Sequence, residues 1–262
     1  MSDGTGQNSI IIKGSTVTTT TAAGQDATAT AIGTGAKADN QSSFAAGTNA
    51  KATNNNAVSI GTNSTASGPT STAVGQGTVA SHQSATALGD GAEAINDQAT
   101  AIGVSAQASE AGALAVGMTS AASAWNSAAF GSLANASGST SLAAGYKAAA
   151  SNSNSLAVGS SATAKTAGDM AFGQGANAQG RSSVNGTAAN TITNETYGPA
   201  MAQGAFATAT GRNAIAIGNN AKAQGTTADG TVNDVIAIGG NSTASGNRAV
   251  ALGYKATAGA AG

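Results

Sequence analysis

The chain has no cysteine, one histidine, one tryptophan and two prolines among its 262 residues, and only 8% of it is charged. Without Cys there is neither a disulfide nor a thiolate metal site. A single His, in a turn, leaves no Ser-His-Asp triad to assemble. Ten Lys and Arg against eleven Asp and Glu give a net charge of −1, so the electrostatic footprint that nucleic acid or an anionic membrane surface demands is missing. No stretch of about 18 apolar residues is present, and the opening Met1-Ser2-Asp3-Gly4 has no signal-peptide character. Large apolar side chains are scarce as well. The hydrophobic fraction is 40%, but 65 of those residues are Ala, and the remainder cannot fill a conventional core for this length. Such a composition signals disorder only when net charge is also high, which fails here. An ordinary globular enzyme domain is therefore not expected, and no cofactor is.

What is present is a repeat. A motif of the form Ala/Ser-x-Ala-aliphatic-Gly recurs with its glycine at Gly33, Gly47, Gly61, Gly75, Gly89, Gly103, Gly117, Gly131, Gly145, Gly159 and Gly173, every step being fourteen residues. The register resumes at Gly204 and Gly218, and again at Gly239 and Gly253, making fifteen copies. Repeats at a fixed period indicate stacked structural units.

Aligned on this glycine, the preceding column is mostly aliphatic or aromatic (Ile32, Ile60, Val74, Leu88, Ile102, Val116, Phe130), and the column three before is often large (Phe44, Val58, Leu114, Leu142, Leu156). Ala lies between them. This alternation has the period of two of a strand. Three and five places after the glycine the chain is again Ala, as in Ala36/Ala38 and Ala92/Ala94, marking a second short strand. Six to nine places after it lie turn formers such as Thr53-Asn54-Asn55-Asn56. Charges fit this scheme: Lys37, Lys51, Glu93 and Lys222 lie between the two Ala columns, and Asp97, Glu110, Lys165, Arg181, Arg212 and Arg248 lie in the variable turn. Asp169 is the one charge within the motif.

Two strands of about five residues and two turns use up fourteen residues, so each repeat predicts one coil of a flattened solenoid stacked at about 4.8 Å on the next. Fifteen coils span on the order of 70 Å, with the glycine at the tight corner. One or two large side chains per coil, filling the roll, contribute roughly 1.5–3 kcal/mol each. Against an ordering cost near 1.5 kcal/mol for each of the fourteen residues, that leaves a lone roll marginal. Ala faces allow close approach of another sheet, which predicts a homo-oligomer.

The segments Asn56-Ala57-Val58-Ser59-Ile60-Gly61, Asn154-Ser155-Leu156-Ala157-Val158-Gly159 and Asn213-Ala214-Ile215-Ala216-Ile217-Gly218, each followed by Ala-x-Ala or its like, resemble the head repeats of YadA-like trimeric autotransporter adhesins over residues 29 to 258. The resemblance implies an all-β, single-stranded, left-handed parallel β-roll and a homotrimer. It implies display on the outer membrane of a Gram-negative bacterium, above a stalk and a C-terminal membrane anchor, for attachment to extracellular-matrix proteins, host cells, solid surfaces or other bacteria. The chain then reads as an excised head that meets the membrane only through an anchor it does not itself contain. The competing reading is a trimeric bacteriophage tail fibre, which can use the same architecture.

The expected organisation is a cap or lead-in over 1–28, regular repeats over 29–185, an irregular insertion over 186–199, and repeats over 200–262 with a second insertion near 225–234. The two insertions fall before motif strands and predict paired loops on one edge. Among single residues, His82 reads as a solvated turn residue. Candidate ligand contacts are Trp125, in the variable turn, Tyr197, in the first insertion, and Tyr146, Phe206 and Tyr254, which like Leu133 follow the corner glycine within two places. No Ca²⁺-binding Gly-Gly-x-Gly-x-Asp repeat or phosphate loop is present.

Overall fold

A computed structural model describes residues 9–11, 14, 16–18, 28–180, 182–192, 199–225 and 234–259. The described residues form thirty-four strands and no helix. They fall into two compact units, 1–132 and 133–262. Each unit is a parallel β-solenoid in which a motif strand such as Val58–Ile60 is followed by a shorter strand such as Thr65–Ala66. Like strands pair in parallel one repeat apart, as Ile60 with Val74 and Ala66 with Ala80. The strands are two to four residues long, shorter than the five expected, because the corners take more of each coil.

The corner glycine has a structural reason. Gly89 has φ +127°, and a Cβ placed on it would lie 2.6 Å from the carbonyl oxygen of Gly103 in the next coil. The corners stack backbone on backbone, with the Gly103 N–H donating to the Leu88 carbonyl at 2.8 Å. The second position after each glycine is left-handed too, and Asn is common there (Asn49, Asn63, Asn220, Asn241), as its short polar side chain allows. These side chains tie successive coils together: the Asn49 Nδ2 donates to Asn63 Oδ1 at 3.2 Å, and Asn220 Nδ2 to Asn241 Oδ1 at 2.9 Å.

The interior differs from the expectation. Four columns point inward, and they are the small ones: in the coil around Gly89 they are Ala85, Ala87, Ala92 and Ala94, all fully buried. The large side chains expected to fill the roll instead lie on the outer face of the motif sheet, where Ile60, Ile102 and Phe130 are 37–40% exposed. The reason is space. The corners draw the two short strands of a coil so close that Ala or Ser on each side already fills the gap, and a larger group has only the outward direction left. Among the residues whose burial is described, the interior is Ala, Ser, Thr and a few Gly apart from Val184, Val235 and Asp169.

Fifteen repeats were read from the glycines, and two further coils join them. Ser9–Ile11 and Thr16–Thr18 pair in parallel with Ala29–Ile32 and Lys37–Asp39. Ser183–Asn185 pairs with Met170–Phe172 on one side and Met201–Gln203 on the other, and Asn190–Ile192 pairs with Thr208–Thr210. Residues 186–192 thus stay in the roll, although the sequence reading lets the chain leave it at Gly186. The step from Met170 to its partner Ser183 is thirteen residues in place of fourteen, and beside this shortened turn the Ser182 N–H donates to Asp169 Oδ1 at 2.7 Å. Residues 193–198 and 226–233, which hold the core of both expected insertions and the paired-loop feature, lie outside the described residues.

Candidate binding surfaces

The repeat presents three kinds of outer surface. The first is the outward face of the motif sheet. In the first unit its inner column runs Ile60, Val74, Leu88, Ile102, Val116 and Phe130, each directly beside the next. This is a continuous apolar ladder on the surface of a single chain. In the second unit the same column reads Ala144, Val158, Phe172, Asn185, Gln203, Ile217, Ile238 and Leu252, with two polar residues in its middle. Ser183, Pro199, Met201, Asn213 and Ile215 line a hollow in that face.

The second surface is the glycine corner. Tyr146 and Tyr254 follow their corner glycines and are 49% and 70% exposed. Each carries the next residue's ammonium over its ring, Lys147 and Lys255 both at 5.1 Å from the ring centre, a contact worth about 0.5–1 kcal/mol at an exposed site. Phe206 stands at the left-handed position with φ 57°, and Leu133 at the same position with φ 59°. Bulky side chains are rare in that conformation and cost roughly 1–2 kcal/mol there. Within the second unit, Tyr146, Phe206 and Tyr254 share one corner but not one pocket: four and three coil steps separate them, or about 19 Å and 14 Å.

The third surface is the variable turn, where Trp125 is 55% exposed. His82 lies in the same kind of turn, with Nδ1 3.0 Å from the Ser81 hydroxyl. Tyr197 lies outside the described residues. Among the described residues no three His, Cys, Asp or Glu side chains come together in a way that could hold a metal ion. No helix among them is long and apolar enough to cross a membrane.

Sequence reasoning noticed Asp169 without giving it a role. It is fully buried and is the only buried charged side chain among the described residues. Its Oδ2 accepts from the Thr166 N–H at 2.7 Å, the Thr166 hydroxyl at 2.8 Å and the Lys165 N–H at 3.2 Å, and its Oδ1 accepts from the Ser182 N–H at 2.7 Å. The signal available beforehand was its column, which elsewhere holds mostly Ala or Ser.

The chain is a parallel β-solenoid of stacked fourteen-residue coils, with Ala inside and its large apolar groups outside, a scaffold along which side chains repeat. The sequence profile described as the YadA head domain repeat matches residues 27–50, 38–64, 66–92, 94–120, 136–162, 150–176, 200–228 and 236–256. With most of the chain covered, this protein belongs to the YadA head repeat family. No curated protein matches the chain.

Proposed function

We propose that the chain is the head of a trimeric surface adhesin, in which three left-handed rolls pack their motif sheets together and present the corners and variable turns to a target. The observation that carries this reading is the inversion of the roll, with Ala buried and the Ile60 to Phe130 ladder outside. A water-facing apolar column over six coils loses about 25 cal/mol for each Å² left uncovered, and another copy of the same column is its natural complement. Family membership supplies the adhesive role.

The mechanism is display, with no bond made or broken. One copy of Trp125, Tyr146, Phe206 or Tyr254 binds weakly. Three chains multiply each contact, and avidity converts weak contacts into firm attachment. Phe206 is the best single candidate on the corner, because its side chain holds a costly backbone conformation where Asn or Gly would sit without strain. The targets are extracellular-matrix proteins, host-cell surfaces, solid surfaces or neighbouring bacteria. The head is held at the outer membrane of a Gram-negative cell through a C-terminal anchor.

The test has two stages. Sedimentation equilibrium of the whole chain should return three copies, and a monomer with intact β-structure overturns the trimer. The trimer is then scored on an array of matrix proteins, cells and abiotic surfaces beside the Trp125→Ala and Phe206→Ala variants. Attachment to none of these surfaces overturns the adhesive role.

A further inference from the structure

We infer that the outer face of the motif sheet sets the alignment of the packed copies, each coil meeting the same coil of its neighbours. The residues that fix this alignment are Phe44 with Ala46 and Ala128 with Phe130 in the first unit, and Ser183 with Asn185 in the second. The inference rests on the proposed packing of motif sheets and adds the register to it.

A ladder of like side chains repeated about every 4.8 Å offers nearly the same contact when one copy slides along another by a whole coil. Three copies joined head to tail close into a ring only if the contact carries no rise. With a rise of one coil at each contact they form an open helical filament. A closed trimer therefore needs a face that differs from coil to coil.

Each motif strand points two side chains outward, one on either side of its buried Ala or Ser. In the first unit the two columns are uneven. Phe44 lies between Thr30 and Val58, while Ala46 breaks the apolar column between Ile32 and Ile60. At Ala128 and Phe130 the same imbalance recurs in reverse, beside Leu114 and Val116. Within a coil the sizes compensate. From Thr30 with Ile32 to Ala128 with Phe130, every coil carries six to eight side-chain heavy atoms on this face, although either column alone runs from one to seven. Sliding one column past the other by a single coil in either direction gives pairs of four to eleven. A face left in water sets no limit on such a sum, whereas a closed layer shared by packed copies does, because both voids and overpacking are unfavourable.

Polarity follows the same rule in the second unit. Ser183 and Asn185 occupy one coil, beside Met170 and Phe172. Coil on coil, polar groups meet polar groups and the water they retain. Slipped by one, they face Met and Phe, and a polar group covered without a partner is unfavourable.

The experiment uses two variants of the full chain: Phe44→Ala, which empties the layer, and Ala46→Phe, which overfills it. Sedimentation first establishes the parent's copy number. Each variant alone should associate more weakly than the parent, on the order of tenfold or more. Mixed together they should form mixed trimers above the statistical share in native mass spectrometry, because one copy's Phe fills the other's void. Mixing Phe44→Ala with Ile60→Phe, one coil away, should give no such excess. Mixed trimers at the statistical share, or an Ile60→Phe partner as effective as Ala46→Phe, overturn the alignment and leave the trimer standing. A monomeric parent overturns both. If Ala46→Phe fails to fold, Phe130→Ala mixed with Ala128→Phe asks the same question at the other end of the unit, with the same outcomes.

Discussion

Between residues 29 and 132 the fourteen-residue step never fails, whereas between Gly173 and Gly239 it fails twice. The regular stretch has an interior of Ala, Ser and Thr78 and an unbroken apolar ladder outside. The irregular stretch holds Val184, Thr191 and Val235 inside, with Asp169 buried just ahead of it, and Asn185 and Gln203 outside. Interior size, coil length and outer polarity change together. A solenoid coil is stable only as a unit with its neighbours, so a change of length in one turn is felt in the coils beside it.

This contrast can be broken by design. The largest effect belongs to the regular corner. Gly89→Val places a β-branched side chain at φ +127° against the carbonyl of Gly103, a combination of strain and clash costing more than about 4 kcal/mol. Protease resistance and β-sheet ellipticity should fall across the first unit. Next comes interior size, where the two regions should respond in opposite senses. Ala87→Leu overpacks a filled column and should cost about 3 kcal/mol or more. Val184→Ala removes a fully buried side chain from the coil that follows the shortened turn and should cost about 1–2 kcal/mol. Urea unfolding of both variants measures the pair.

The outer ladder is the third lever. Ile102→Asp should leave the roll folded yet abolish association, read as a change from three copies to one in sedimentation, because a buried carboxylate at an apolar contact costs several kcal/mol. Asn185→Asp, at a place already polar, should leave the copy number unchanged. The smallest effect is expected at Lys37, whose ammonium lies 2.7 Å from Asp39 Oδ2 but whose side chain is 46% exposed. Lys37→Met should shift stability by less than about 1 kcal/mol, and a larger change in the urea midpoint would mean that the surface of the first unit contributes more than its sparse charge implies.

The period, the corner glycines, the two strands and the position of the turns were all legible in the sequence, because each leaves a mark at a fixed offset. Which side of the strand faces inward was not. Alternation of Ala with Ile or Val defines two faces, and nothing in a period of two tells which is buried. Habit puts the larger residue inside, and here the narrow roll reverses it. The coil at Ser183–Asn185 was legible only as a degenerate copy, with Val184 in its column and Gly186 one place early, because it lacks the aliphatic residue before its glycine and is one residue short. The coil at Ser9–Ile11 was hidden because it stands twenty residues ahead of its partner, Ala29. Exposure at Trp125, Tyr146, Phe206 and Tyr254 followed from their columns, but a column carries no information about a target. Asp169 was visible as an anomaly, and its meaning waited on the Ser182 amide that it reaches.

The constant offset between paired strands also governs how such a chain acquires its structure. Nearly every inter-coil hydrogen bond in the regular stretch joins residues about fourteen apart in sequence, so closing each coil costs the same modest loop entropy whatever the length of the chain. Contact order stays low even though the secondary structure is all β, the class in which folding is ordinarily slow. Once one coil has formed, each later segment needs only to find the edge already laid down, and the roll can grow from one end at the pace at which the chain is supplied.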